Sequence, residues 1–214
     1  NKTKPTASDV YDSTNKTLTY QLAEGFNKYE ITYQTRVTKA IPLTGLDVKN
    51  TGNLEGDGLD SSSEGTVHID SDVLTKEAVG EPTNNGTEAT MQWKSTIKPT
   101  DVSSYIYYDY SNAVQDADGK NRKAQEIDLA SIVVKDKDGN SVAWNSGETD
   151  DYDKDLGLFM IDFKGITASG PMTITYTTKC SIVQQLPGYG ATVKNHCRIN
   201  NGTVATAEQK ITKG

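Results

Sequence analysis

Three stretches of this chain alternate residue by residue between two chemistries: Ile31-Thr32-Tyr33-Gln34-Thr35-Arg36-Val37, Met91-Gln92-Trp93-Lys94-Ser95-Thr96-Ile97 and Thr173-Ile174-Thr175-Tyr176-Thr177-Thr178-Lys179-Cys180. Successive side chains of a strand point to opposite faces, so a period of two marks a strand with one face on a core and one in water. Turn clusters punctuate these runs, among them Asn84-Asn85-Gly86, Asp118-Gly119-Lys120, Asp138-Gly139-Asn140 and Pro187-Gly188-Tyr189-Gly190. A 3.6-residue apolar stripe with caps is absent, and a short helix around Ser111–Ala117 is the only helical candidate. Eleven tyrosines and many threonines supply strand formers where aliphatic residues are sparse. The expected fold class is all-β, with immunoglobulin-like β-sandwich domains in tandem.

Charge and motifs exclude several classes of function. A formal net charge of −7 opposes nucleic-acid binding, because phosphate neutralisation needs a basic surface. No apolar run approaches the ~20 residues of a spanning helix, so no membrane segment is expected. No signal peptide is recognised, and the sequence reads as a mature chain or an excised fragment. It carries no G-x-S-x-G, no phosphate loop after a strand and no H-E-x-x-H, so neither an enzyme nor a cofactor is expected. Two histidines without zinc spacing argue against a metal site. Asp116-Ala117-Asp118-Gly119 and Asp136-Lys137-Asp138-Gly139 lack the further ligands of a calcium loop and read as turns. The acidic run Glu148–Asp155 reads as a solvated loop; the alternative is a site for a cation or a basic partner.

The chain repeats itself. Ile31–Arg36 lies on Ile174–Lys179, and Val48-Lys49-Asn50 on Val193-Lys194-Asn195. Leu74-Thr75-Lys76 is matched again by Ile211-Thr212-Lys213. Repeats of this length are domains strung end to end. Residues 1–70 read as the latter part of one unit, a partial or small sandwich, and residues 73–214 as a complete one.

Both cysteines have inward parity. Cys180 shares it with Ile174 and Tyr176, and Cys197 with Val193 and Ile199. The earlier unit has Val37 and Gly52 at the matching positions, so the two cysteines occur together or not at all. This predicts a Cys180–Cys197 disulfide and an oxidising, extracellular compartment; the alternative is two free buried thiols.

A strand of the form I-T-Y-x-T-K/R followed by a loop and V-K-N resembles the repeated immunoglobulin-like domains of Gram-positive surface adhesins. These are the DE-variant sandwiches of the collagen-adhesin type, together with related pilin and stalk modules. Leu74-Thr75-Lys76, the Trp93–Ile97 strand and Tyr107-Tyr108-Asp109 match further motifs of that family. The resemblance covers residues 73–214 in full and about 17–72 in part. One departure is that Asp109 is followed by Tyr110-Ser111 in place of the family's Thr-Leu.

The resemblance implies an internal amide between a lysine on the first strand and an asparagine on the last, assisted by a buried acid. Such a reaction needs a desolvated, neutral amine and an acid that polarises the amide and moves protons. Parity selects the participants. Asn195 shares the inward face with Val193 and Cys197, and Lys76 shares the parity of Leu74. Lys94 lies opposite Met91, Trp93 and Ile97 and is rejected. Asp109 is the candidate acid, and the alternative is a solvent-facing Lys76 with Asn195 bonded to a turn. Asn50 occupies the place of Asn195 in the earlier unit, whose lysine is expected to precede residue 1, so no complete cross-link is expected there unless Lys2 or Lys4 substitutes.

The functions implied are a structural or adhesive module of a cell-wall-anchored extracellular surface protein, a direct binder of a host matrix protein or glycan, or a pilin subunit. Partners are then neighbouring domains of the same protein and, for a binder, the host molecule. Tyr105, Tyr107, Tyr108 and Tyr110 are the candidate ligand surface; the alternative places two in the core and two beneath a loop.

Overall fold

A computed structural model describes residues 10–22, 28, 30–56, 58–99, 101–146, 156–168 and 170–213. The acidic run at 148–155, Lys2 and Lys4 lie outside them. By internal contacts the chain divides into Asn1–Thr38 and Lys39–Gly214. In the first unit a short hairpin joins β1 (Tyr11–Asp12) to β2 (Thr17–Leu18), with Asp12 closing its turn onto the N–H groups of Thr14 and Asn15.

The second unit opens with a long hairpin, β3 (Leu46–Gly56) and β4 (Leu59–Ile69). A two-sheet sandwich follows. Its strands are β5 (Leu74–Ala78), β6 (Thr83–Asn84), β7 (Ala89–Ile97), β8 (Ile106–Ser111), β9 (Ala113–Gln115), β10 (Asn121–Lys123), β11 (Glu126–Ile127), β12 (Val133–Lys135), β13 (Asn145–Ser146), β14 (Gly157–Asp162), β15 (Met172–Cys180), β16 (Ala191–Ile199) and β17 (Ala205–Ile211). The first sheet runs β11-β15-β7-β5, with β12 also on β15 and β6 on β7; the second runs β13-β14-β8-β16-β17. All pairings are antiparallel. The protein is all-β and the sandwich is immunoglobulin-like, as the alternation in Met91–Ile97 and Thr173–Cys180 predicts; the third alternating run, Ile31–Val37, forms no strand, and Ile31 and Tyr33 are exposed.

Alternation builds the core directly. Along β7 the buried residues are Ala89, Met91, Trp93, Ser95 and Ile97; along β15 they are Met172, Ile174, Tyr176, Thr178 and Cys180. The facing sheet contributes Tyr107, Phe159, Ile161, Val193 and Ile199. Burying each large apolar side chain contributes about 1.5–3 kcal/mol, which is how a chain with few aliphatics sustains a sandwich.

The helical candidate at 111–117 is not formed. Ser111 ends β8 and Ala113–Gln115 form β9, because Val114 is buried and the segment pairs with Asn121–Lys123. The Asp-Gly loops are turns closed by their own carboxylates. Asp116 Oδ1 accepts the N–H groups of Asp118 and Lys120, and Asp136 Oδ1 those of Asp138 and Asn140.

Candidate functional site

Lys76 and Asn195, both predicted to face inward, meet between the sheets with Asp109, whose face the alternation leaves open. Lys76 sits mid-way along β5 opposite Ser95, with Leu74 and Ala78 on the same face. Tyr176 on β15 lies opposite Trp93. From the other sheet come Asp109 on β8, opposite Cys197, and Asn195 on β16, between Ser111 and Ala207. The side chains of Lys76 and Asp109 are completely excluded from solvent.

Lys76 Nζ lies 2.5 Å from Asp109 Oδ2 and 3.3 Å from the Tyr107 hydroxyl, and it also donates to the Tyr176 hydroxyl. All three ammonium protons thus have acceptors. The Tyr107 hydroxyl reaches Asp109 Oδ2 at 2.6 Å and Ser95 Oγ at 2.7 Å. Tyr176 stands at the centre of the site. Its hydroxyl lies 2.5 Å from Asp109 Oδ2 and 2.9 Å from Asn195 Oδ1, and its single proton serves one of them at a time. Burial, and then the charge of Asp109, push both phenols well above the ordinary tyrosine range, so they remain protonated donors.

The asparagine is oriented from its other side. Asn195 Nδ2 donates to Gln125 Oε1 at 3.2 Å, and Thr178 Oγ1 donates to the same oxygen at 3.0 Å. Gln125 Nε2 is fixed on the Lys194 carbonyl, and Trp93 Nε1 donates to Thr178 Oγ1. Phe159 packs against the Tyr176 ring edge-on at 4.8 Å and against Tyr107 at 5.8 Å. Among the described residues, buried Asp109 Oδ1 has no hydrogen-bond partner. An orphaned buried oxygen is costly and calls for an explanation in chemistry.

This arrangement places an amine, an acid and a carboxamide in one dry site linked through a phenol. Sequence parity selects Lys76 and Asn195, the family resemblance adds Asp109, and neither points to Tyr176, Tyr107, Ser95 or Gln125 as members of the site. The available signal was polarity at inward positions: Ser95 and Tyr176 share the buried parity of Trp93 and Ile174. One expectation needs correcting. Asn195 lies on the penultimate strand of the sandwich, since β17 follows it and pairs along it.

The expected disulfide is also corrected, because Cys180 and Cys197 are free buried thiols. Cys197 Sγ lies 3.6 Å from Ser95 Oγ. Ser95 faces Ile174, whereas Cys180 ends the same strand opposite Ala89. The distance from Ile174 to Cys180 is about 20 Å at the rise of a strand. A bridge needs Cα atoms within about 7 Å. Parity gives the face correctly but not the height along it, and the redox argument for compartment falls with the bond. Burial raises both thiols above the ordinary cysteine range.

The four tyrosines do not form one open surface. Tyr107 is fully buried in the site, which corrects its assignment to a ligand face. Tyr105 packs against the core, Tyr108 lies 3.9 Å beneath the Arg198 guanidinium, and Tyr110 stacks on His196 at 5.0 Å.

No family model matches the chain, and no curated protein matches it. Among solved structures it is similar to the N-terminal domain of the Streptococcus gordonii adhesin Sgo0707, with 13% identity and a TM-score of 0.42 over 71% of this chain and 36% of that one. It is similar to ACE19, the collagen binding subdomain of the Enterococcus faecalis surface protein ACE, with 10% identity and a TM-score of 0.35 over 66% of this chain and 99% of that one. A third is BcpA, the major pilin subunit of Bacillus cereus, with 13% identity and a TM-score of 0.36 over 74% and 50% of the two chains. The chain therefore spans little more than a third of the first of these structures. With every TM-score below 0.5, what the site can do rests on its own geometry.

Proposed function

We propose that the chain is a structural and adhesive module of a bacterial surface protein, carried outside the cell as a stalk or ligand-presenting repeat. Its sandwich is locked by an amide between Lys76 and Asn195. The observation that supports this is the convergence of Lys76 and Tyr176 from one sheet with Asp109 and Asn195 from the other, in a site closed to water. Holding two charges away from water is costly, and a simple packing role would be met at least as well by apolar residues.

The chemistry is self-processing and occurs once. A proton passes from Lys76 Nζ to Asp109 across their 2.5 Å contact, leaving a neutral amine. Nζ attacks Cγ of Asn195, and the Tyr176 hydroxyl stabilises the charge gathering on Oδ1. The acid gives its proton to Nδ2, while its free Oδ1 takes the second proton from the attacking nitrogen. The C–Nδ2 bond breaks and ammonia leaves. One C–N bond forms and one is lost, with no oxidant or cofactor. Asp109 ends protonated beside the new amide.

Such a bond ties β5 to β16 across the core, so tension on the chain cannot open the sheets between them. The dispersed tyrosines favour this load-bearing role within residues 74–211 over capture of a host matrix protein or glycan. Pulling single molecules by their ends tests it. Residues 77–194 should stay folded, withholding about 40 nm of contour length at 3.6 Å per residue. Release of that length from the wild-type protein would contradict the proposal.

A further inference from the structure

The β3–β4 hairpin segregates its residues completely. Its register pairs Leu46 with Ile69, Val48 with Val67, Asn50 with Gly65, Leu54 with Ser61 and Gly56 with Leu59. Alternation therefore puts all six of its large apolar residues on one face. Asp47, Lys49, Glu55, Asp60, Glu64 and His68 occupy the other. The charged face is complete in itself: Lys49 pairs with Glu64 at 3.1 Å, and His68 with Asp47 at 2.6 Å. The apolar face is the one built for a core, yet Leu54, Leu59 and Val67 are 46%, 63% and 65% exposed. Among the described residues, β3 and β4 form a sheet of two strands only.

The hairpin that closes the sandwich shows what belongs on this face. In β16–β17, Ala191 faces Ile211, Asn195 faces Ala207 and Cys197 faces Ala205. Laying Val48-Lys49-Asn50 on Val193-Lys194-Asn195 brings Ile69 onto Ile211, Gly65 onto Ala207 and Ser63 onto Ala205. The match is aliphatic on aliphatic at the base, with a small residue opposite the asparagine in both. In β16–β17 the inner face packs on the sheet containing β5, β7 and β15, and β8 pairs along the remaining edge of β16.

We infer that the apolar face of β3–β4 is a docking surface for strands of the same polypeptide upstream of residue 1, equivalent to β5, β7 and β8. One strand pairs along β3 as β8 pairs along β16, and the others cover Val48, Leu54 and Val67. A second copy of this chain does not suit the face, because its own β5, β7 and β8 are already spent inside its sandwich. The base of the hairpin is already anchored to the sandwich: the Leu43 carbonyl accepts the Thr203 N–H at 2.7 Å, and a Cβ on Gly202 would lie 2.8 Å from that same oxygen. Docking would thus convert residues 70–73 into a short junction between two stacked sandwiches. The inference does not depend on the Lys76–Asn195 amide.

Hydrogen exchange read by mass spectrometry on peptides covering 46–69 tests it. The comparison is between the present chain and its parent polypeptide extended upstream by one repeat. In the present chain these amides should exchange far faster than those of β16–β17, at every protein concentration. In the longer chain they should slow by about 100-fold or more. Val48→Asp with Val67→Asp in the longer chain should abolish that protection and leave residues 74–211 unchanged. Equal exchange in the two chains would overturn the inference. So would protection of the present chain that rises with concentration alongside a dimer, which would assign the face to a second copy. A parent sequence with no such strands upstream would overturn it as well.

Discussion

Replacing Asn195 by alanine removes the acceptor of the proposed amide and leaves the Lys76–Asp109 contact in place. The tie would join residues about 120 apart in sequence, and the loop-entropy relation then gives a contribution of about 5 kcal/mol. Local losses are small. Tyr176 still has Asp109 to donate to, and Gln125 Oε1 still accepts from Thr178. A lost hydrogen bond or two adds about 1–2 kcal/mol. For a sandwich of about 140 residues, the entropy of unfolding near its midpoint is about 0.3 kcal/mol per degree. Asn195→Ala should therefore lower the midpoint of thermal unfolding by about 20 °C, followed by circular dichroism in the presence of reductant. A fall of only about 3–6 °C is the value for lost hydrogen bonds alone, and would refute the covalent reading.

Three further outcomes follow from the same geometry. Tyr176→Phe keeps the ring against Phe159 but removes the donor to Asn195 Oδ1, so amide formation in freshly refolded protein should slow by about 100-fold, read as mass against time. The two histidines should titrate apart by NMR. The hydrogen bond to Asp47 raises His68 above the ordinary value, whereas burial, with Lys194 and Lys76 nearby, lowers His196. The His68 contribution to stability is then full at low pH and lost as pH rises through its raised midpoint, while that of His196 is full at high pH and lost as pH falls through its lowered one. Trp93→Ala, which empties the centre of the core and removes the indole hydrogen bond to Thr178, should cost about 3–5 kcal/mol in denaturant unfolding.

What was legible in the sequence was the side on which each residue lies. Period two in Met91–Ile97 and Met172–Cys180 puts Trp93, Ser95, Tyr176 and Cys180 inside, as they are. It also puts Lys94 outside, where it pairs with Glu77. Parity does not say which strands face one another across the sandwich, or at what height. Cys180 and Cys197 share the core yet stand at different levels of it, whereas Lys76, Asp109 and Asn195 share a level. The repeat adds to local pattern: it aligns Asn50 with Asn195, and in the two hairpins a small residue, Gly65 or Ala207, faces that asparagine. Tyr176 stayed hidden because a tyrosine in an alternating strand is read first as a packing residue. Its second role comes only from the oxygen atoms that the facing sheet brings to its hydroxyl.

The most direct measurement is the intact mass of the denatured, fully reduced protein. Formation of the Lys76–Asn195 amide expels ammonia, so the chain should weigh about 17 Da less than its sequence, with Lys76→Ala and Asp109→Ala each restoring the full value. A wild-type mass equal to that of the sequence would contradict it.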